Sequence, residues 1–357
     1  MWLEVSTLNV GVTSKGRRRV PAIVLAAALG VSLACGGSNT KSATNGAATR
    51  AAGSAASANG PAAGSVAGRT AASLQPVVAS TELVVGQNRF TMGILDRSGK
   101  PIPDAQVHFK FFELAGAPGS SGQAQGTLRS ESDAVFRAPN REAGLPAVET
   151  VTRPDGSKVL VQSGGDEVGV YEATVAFDKP GDWGVEADVT GKTPDTTGVV
   201  RAPIKVLTQS VTPAIGSPAP RSRNLTVKDV TDLSIIDTSA HPTADMHTET
   251  IADAIVAGHP ALVLFATPGY CTSRLCGPEL ELARKLEPKY SGKADFIHVE
   301  IYKEPPPKSV VMPAVEEWHL QSEPWFFVID KNGNVAAKFE GPTTLDEIDQ
   351  ALQKVAG

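Results

Sequence analysis

A chain of 357 residues with a net charge of −5 and an aromatic content of 5% is long enough for two domains, and it lacks the basic, aromatic character of a nucleic-acid binder. The charge is uneven: through residue 80 there are seven Lys/Arg against a single acid, Glu4, so the remainder carries −11. Cysteine is too scarce for a disulfide scaffold, because Cys271 and Cys276 are the only two after Cys35.

Lys15 to Arg19 (KGRRR) precedes Val20 to Ala34, an apolar run too short to span a membrane comfortably but suited to the core of a signal peptide. It ends at Leu33-Ala34-Cys35-Gly36-Gly37, which resembles a bacterial lipoprotein signal, with Ser32 three places before the cysteine where that pattern has a large apolar residue. The resemblance implies that residues 1–35 are a signal, that Cys35 is lipidated, and that the rest is anchored outside the cytoplasmic membrane. An uncleaved anchor helix gives the same location. Residues 36–80, almost all Ala, Gly, Ser, Thr and Asn, hold too little apolar bulk to fold and read as a flexible tether.

Residues 81–207 change character. Phe90, Met92 and Ile94 share one face of an alternating stretch, and Ala105, Val107, Phe109 and Phe111 alternate again with His108 opposite. Val148–Thr152 and Lys158–Gln162 flank Pro154-Asp155-Gly156 as a hairpin. Val170–Phe177, Trp183–Val189 and Val199–Val206 complete about seven short strands, which predicts an all-β antiparallel sandwich. Glu113 to Leu145 is long and polar and is expected to be a surface insertion. Gly169-Val170-Tyr171-Glu172-Ala173 and Phe177 to Trp183 (FDKPGDW) resemble immunoglobulin-like bacterial modules of the YtkA-like type. Some relatives are linked to copper handling, but only His108 and Met92 could serve as ligands here, and Met92 faces the core. The module is therefore expected to act as a spacer or interaction unit without a metal.

Residues 208–228 are rich in Pro, Ser and Ala and read as a linker into a last domain, 229–357. Val230–Ile236 is a candidate edge strand. His241, Asp245, Met246 and His247 fall in a polar loop, where histidines without thiolates are ordinarily solvated. Thr248 to Gly258 reads as a helix capped by Thr248. Ala261 to Ala266 is dense enough for a buried central strand, and Thr267-Pro268-Gly269 turns the chain toward Cys271 and Cys276. Apolar residues at helical spacing follow from Glu279 to Tyr290. Ala294–Tyr302 is a second buried strand, Val310–His319 contains a short helix, Trp325–Asp330 and Val335–Phe339 form a hairpin, and Leu345–Val355 is an amphipathic helix. Backbone N–H groups at a helix start favour a thiolate, so a dithiol at a strand-to-helix junction points to redox chemistry. Two buried structural cysteines are the plain alternative.

This order, with Pro324 before the hairpin in Ser322-Glu323-Pro324-Trp325, resembles the thioredoxin fold over about 120 residues, an α/β domain with a central mixed sheet flanked by helices. The resemblance implies a cis Pro324 positioning substrate beside the cysteines. Four residues separate Cys271 and Cys276, where thioredoxins have two, and Cys276-Gly277-Pro278-Glu279 resembles the thioredoxin box with Glu for the second cysteine. Either cysteine could be the nucleophile, and Cys271 is the first choice, with Thr272, Ser273, the helix amides and Arg274 favouring its thiolate. Thr267 to Gly277 also resembles Q-type peroxiredoxins, but the late arginine that such enzymes need is missing: no arginine follows Arg284. Sco-type copper chaperones rank third, since His298 lies in an apolar strand. A binding protein without catalysis is the remaining alternative. The reading is an extracytoplasmic, membrane-anchored thiol–disulfide oxidoreductase. It acts on protein disulfides or dithiols through Cys271 and Cys276, with Pro324, Thr267 and Arg274 positioning substrate, without metal, cofactor or nucleic acid.

Overall fold

The computed structural model describes residues 74–114, 126–152, 158–165 and 167–357. Cys35, the signal segment and most of the expected tether lie outside these residues. No helix among the described residues is long and apolar enough to cross a membrane.

The first part of the fold runs β1 (Gln75–Val78), β2 (Leu83–Val84), β3 (Gly86–Leu95), β4 (Gln106–Leu114), β5 (Gly126–Arg137), α1 (Pro139–Ala143), β6 (Val148–Thr152), β7 (Lys158–Gln162), β8 (Val170–Phe177), β9 (Gly181–Thr190) and β10 (Gly198–Leu207). Eight of these strands pair in the order β1-β3-β8-β5-β4-β9-β10-β2. Strand β5 belongs to both halves: residues 126–134 pair with β4 and residues 135–137 with β8. The halves enclose one core, in which Phe90, Phe109, Phe111, Tyr171, Phe177 and Trp183 are all buried. Alternation explains it, since Val107, Phe109 and Phe111 point inward while His108 and Lys110 face solvent beside Asp133 and Asp188. Edge-to-face pairs such as Phe90–Phe109, at 5.1 Å, fill the centre.

Several expectations change here. The sheet begins earlier than residue 81, because residues 75–78 pair through their backbone with β3 and Leu74 and Val78 reach the core. The stretch Glu113 to Leu145 is not a surface insertion: it contains β5 and α1. Its composition is polar because one face of β5 is solvated and the strand is held by two neighbours' backbones. The hairpin β6–β7 forms its own two-stranded sheet, and β2 runs parallel to β10, so the sandwich is not wholly antiparallel.

The second part runs α2 (Ile251–Ala257), β11 (Ala261–Ala266), α3 (Cys276–Leu286), β12 (Asp295–Glu300), β13 (Tyr302–Glu304), β14 (Val310–Val311), α4 (Pro313–Glu317), β15 (Trp325–Ile329), β16 (Val335–Glu340) and α5 (Leu345–Ala356). Four strands pair in the order β12-β11-β15-β16, with β11 parallel to β12 and antiparallel to β15. All six residues of β11 are buried, and they alternate between two cores. Val263 and Phe265 meet α2, α4 and Trp318 on one side. Leu262, Leu264 and Ala266 meet α3 and α5 on the other. Helix α2 starts one residue past Thr250, which makes a capping box with Asp253 in place of the expected Thr248 cap, and Gly258 ends it with φ 73°. Val230–Ile236 contains a single 3₁₀ turn, Leu233–Ile235, and no edge strand, because Asp232 accepts from the Ser234 N–H and closes the turn.

Residues 208–228, expected as a linker, run along the edge of this sheet. Gly216 N–H donates to Val335 O at 2.7 Å, Ala219 N–H to Gly333 O at 2.9 Å, and the Ser222 hydroxyl accepts from Trp318 Nε1 at 3.0 Å. The sandwich meets the same edge through charge. Lys338 Nζ lies 2.5 Å from Glu82 Oε1, the Thr81 N–H donates to Glu340 at 2.8 Å, and Arg89 holds Glu347 at 2.8 Å while donating to Glu340 O and Pro342 O. Because Arg89 serves three acceptors at a half-buried position, Arg89→Met should lower unfolding stability by about 1–3 kcal/mol, read from urea denaturation.

Candidate active site

The last residue of β11, Ala266, delivers the chain to a turn whose geometry depends on close packing. Gly269 N–H donates to Thr238 Oγ1 at 2.9 Å, and a side-chain carbon at this glycine would stand 2.8 Å from Thr238 O. Thr267 is fully buried, with its hydroxyl near the Glu300 carboxyl but short of hydrogen-bond geometry. Cys271 follows, then a tight turn in which Arg274 N–H donates to Cys271 O and Arg274 takes φ 62°. Cys276 is the first residue of α3.

The two cysteines form a disulfide with Cα atoms 6.1 Å apart, inside the usual span for such a bond. Neither Thr272 nor Ser273 caps the helix. Leu275 is the cap residue, with no side-chain capping bond, and the first helical turn stays complete because Cys271 folds back to it. The Cys276 N–H points at Cys271 Sγ from 3.4 Å, and the Ser273 hydroxyl lies 3.2 Å from the same sulfur. Both are donors a Cys271 thiolate could use. Cys271 is partly exposed and Cys276 has no exposed surface, so Cys271 is the sulfur that another molecule can reach.

Pro324 is buried, and the Glu323–Pro324 bond is cis. Sequence reasoning misses the residue before it. A Glu323 carboxylate oxygen and both sulfurs lie within 4.8 Å of one another. Its Oε2 is buried and has no hydrogen-bond partner. Burial, followed by repulsion from Glu300, pushes this carboxyl up to about 8, so it is protonated at neutral pH. The signal that could have found it is a glutamate adjacent to the proline that the fold places against the dithiol. Tyr270 and Tyr302 rings meet edge to face at 6.3 Å beside this group.

Arg274 is exposed. Arg284 is engaged elsewhere, 2.7 Å from Asp237. The nitrogens of His298 lie against Ala266 O and His247, and do not reach the cysteines. Glu279 is completely buried, and its Oε1 accepts from Thr343 N–H at 2.8 Å. Burial raises its carboxyl well above the ordinary range, and the bond to Thr343 ties α3 to the segment just before α5.

The segment that leaves the sandwich after β5 lies over this helix. Lys285 Nζ donates to Glu142 O at 2.5 Å, Leu345 N–H to Glu142 Oε2 at 2.7 Å, and Ala143 joins the core that contains Cys276. A carbon added at Gly277 would meet Ser163 Oγ at 3.6 Å and Leu145 at 3.9 Å. Helix α1 and the start and end of the β6–β7 hairpin region therefore wall one side of the dithiol.

No known family description matches this chain, and no curated protein matches it. Among solved structures, it is similar to a protein assigned as thiol:disulfide interchange protein DsbE from Chlorobium tepidum. The identity is 17%, the match covers 41% of this chain and 99% of that one, and the TM-score is 0.29. It is also similar to MtrC from Shewanella baltica OS185, at 12% identity over 43% of this chain and 24% of that one, with a TM-score of 0.21. Likenesses of this size assign neither a family nor an activity.

Proposed function

We propose that the chain is a thiol–disulfide oxidoreductase acting on protein disulfides or dithiols. Its domain 229–357 is read as thioredoxin-like, carried behind an immunoglobulin-like module, 81–207, and held outside the cytoplasmic membrane by a lipidated Cys35. One observation carries the catalytic part: a reachable sulfur and a buried one are bridged at the end of the central strand, with a buried carboxyl beside both.

In the reducing direction, the Cys271 thiolate attacks one sulfur of a substrate disulfide. That S–S bond breaks, and the departing thiolate takes a proton from the Glu323 carboxyl. The Cys276 thiol then loses its proton to the Glu323 carboxylate and attacks Cys271 in the mixed disulfide. The Cys271–Cys276 bond forms and the second substrate thiolate leaves, taking a proton from Glu323 or solvent. Two electrons pass from the dithiol to the substrate. The oxidising direction is the same sequence reversed. Pro324 borders the path of the incoming chain, and the wall formed by α1 limits its approach to one side.

Pre-reduced protein should reduce a test protein disulfide stoichiometrically and should consume hydrogen peroxide far below diffusional rates. No arginine follows Arg284, and Arg284 is held by Asp237, so a peroxide at Cys271 lacks the late planar fork of donors that would steady its transition state. Fast peroxide consumption with no disulfide reduction would replace this reading with a peroxidase.

A further inference from the structure

Away from the dithiol, on the opposite side of Ala266, two histidines meet in the interior. His247 and His298 are each about 1% exposed. His247 is not the solvated loop residue that its surroundings in sequence suggest: the loop folds inward, with Met246 buried beside it at φ 62°. His298 has one nitrogen against a backbone carbonyl, and His247 has both. His247 Nδ1 is 2.9 Å from Asp245 O, and His298 Nε2 is 3.1 Å from Ala266 O. A carbonyl only accepts, so His298 Nε2 carries a hydrogen, and in a neutral ring its Nδ1 presents a lone pair to His247 Nε2 across 3.1 Å. Ile236 O, another acceptor, is 2.8 Å from His247 Nε2. Asp237, His247 and His298 each place one ligand atom within 4.8 Å of the other two. With the hydrogen of a neutral His247 on Nδ1, toward Asp245 O, these groups turn electron pairs toward one another, an arrangement that a bound cation satisfies.

We propose that Asp237, His247 and His298, with the Ile236 carbonyl, form a structural site for a divalent transition metal of the zinc class. Two nitrogens bound at 2.0–2.1 Å in a tetrahedral shell stand about 3.4 Å apart, close to the separation found here. The outer contacts are those that orient metal ligands. Both imidazoles donate their second N–H to carbonyls, while Asp237 is steadied by Ser239 N–H at 2.9 Å, Thr243 N–H at 3.1 Å and Arg284 at 2.7 Å. A cavity of about 190 Å³, lined by Ile236, His298, Glu300, Met312 and Pro313 among others, borders two members of this group. The site also has a structural purpose. It ties residues 236–247 to β12, and Thr238 and the Ala266 carbonyl link it directly to the turn that carries Cys271.

The test uses the full chain with Cys271→Ser and Cys276→Ser together, stripped by chelator, so that thiolates cannot hold the metal. Added Co²⁺ should bind one per chain and give visible ligand-field absorption without thiolate charge-transfer bands. Zn²⁺ should displace it and raise the melting temperature in proportion to log concentration. His298→Gln in this background should weaken Zn²⁺ by more than the 10–100-fold that loss of an outer partner costs. Should that variant not fold, paramagnetic shifts of the His247 and His298 ring protons in the parent Co²⁺ form give the same assignment. No stoichiometric uptake, binding that survives His298→Gln, or nitrogen NMR showing a hydrogen held between the two rings with metal in excess would overturn the proposal.

Discussion

Cys276→Ser will accumulate a mixed disulfide with substrate through Cys271, and Cys271→Ser will accumulate none. The asymmetry follows from exposure: Cys271 can be reached, whereas Cys276 lies at the base of α3 with no exposed surface. The Cys276 N–H and Ser273 hydroxyl are placed to stabilise negative charge on Cys271 Sγ. Removing the nucleophile should cost on the order of 10³-fold or more in exchange rate. Removing Cys276 should leave the first attack intact and block release. Non-reducing electrophoresis with mass mapping reads both outcomes. A trapped adduct on Cys276 in the Cys271→Ser chain would reverse the assignment of roles.

Glu323→Gln will slow exchange at neutral pH by about 10²-fold, the low end of what general acid–base groups supply. The advantage of the native carboxyl should fade as pH rises through about 8, where it ionises. The ratio of native to variant rates, plotted against pH, isolates this group from the thiols, which titrate in both proteins. Stability moves with the same proton. The folded carboxyl holds its proton to about 8, against an ordinary value of 4.5. Between those values the folded chain binds more protons than the unfolded one, so this contribution is fully present below pH 4.5 and is lost as pH rises through 8. The melting temperature of Glu323→Gln relative to the native chain should therefore climb across that window, by several degrees for each few kcal/mol recovered. A rate ratio and a melting difference both flat in pH would remove Glu323 from the mechanism.

The redox element is legible in the sequence because its signals are local. The apolar density of Ala261–Ala266, the Thr-Pro-Gly stop and the helical spacing after Glu279 each depend on a few neighbouring residues. That spacing starts α3 three residues late, since Cys276-Gly277-Pro278 has little helical propensity and is held by its surroundings. What escapes depends on partners distant in sequence. Strand β5 has almost no apolar pattern and is held by backbone pairing to β4 and β8. His247 is drawn inward by Ile236 and His298, 11 and 51 residues away. Glu323 matters only because the fold sets it against sulfurs some fifty positions earlier, and no spacing rule encodes that meeting. Helix α1 covers the dithiol helix through Glu142 and Ala143, which look like ordinary surface residues in the sequence.

Equilibration of the full chain in a series of thiol–disulfide buffers, followed by alkylation and mass spectrometry of the Cys271–Cys276 peptide, tests the central claim most directly. A single reversible two-electron transition, in which both thiols are alkylated together or neither is, is the predicted result. Two thiols that remain free and independently alkylated under mild oxidant would contradict it.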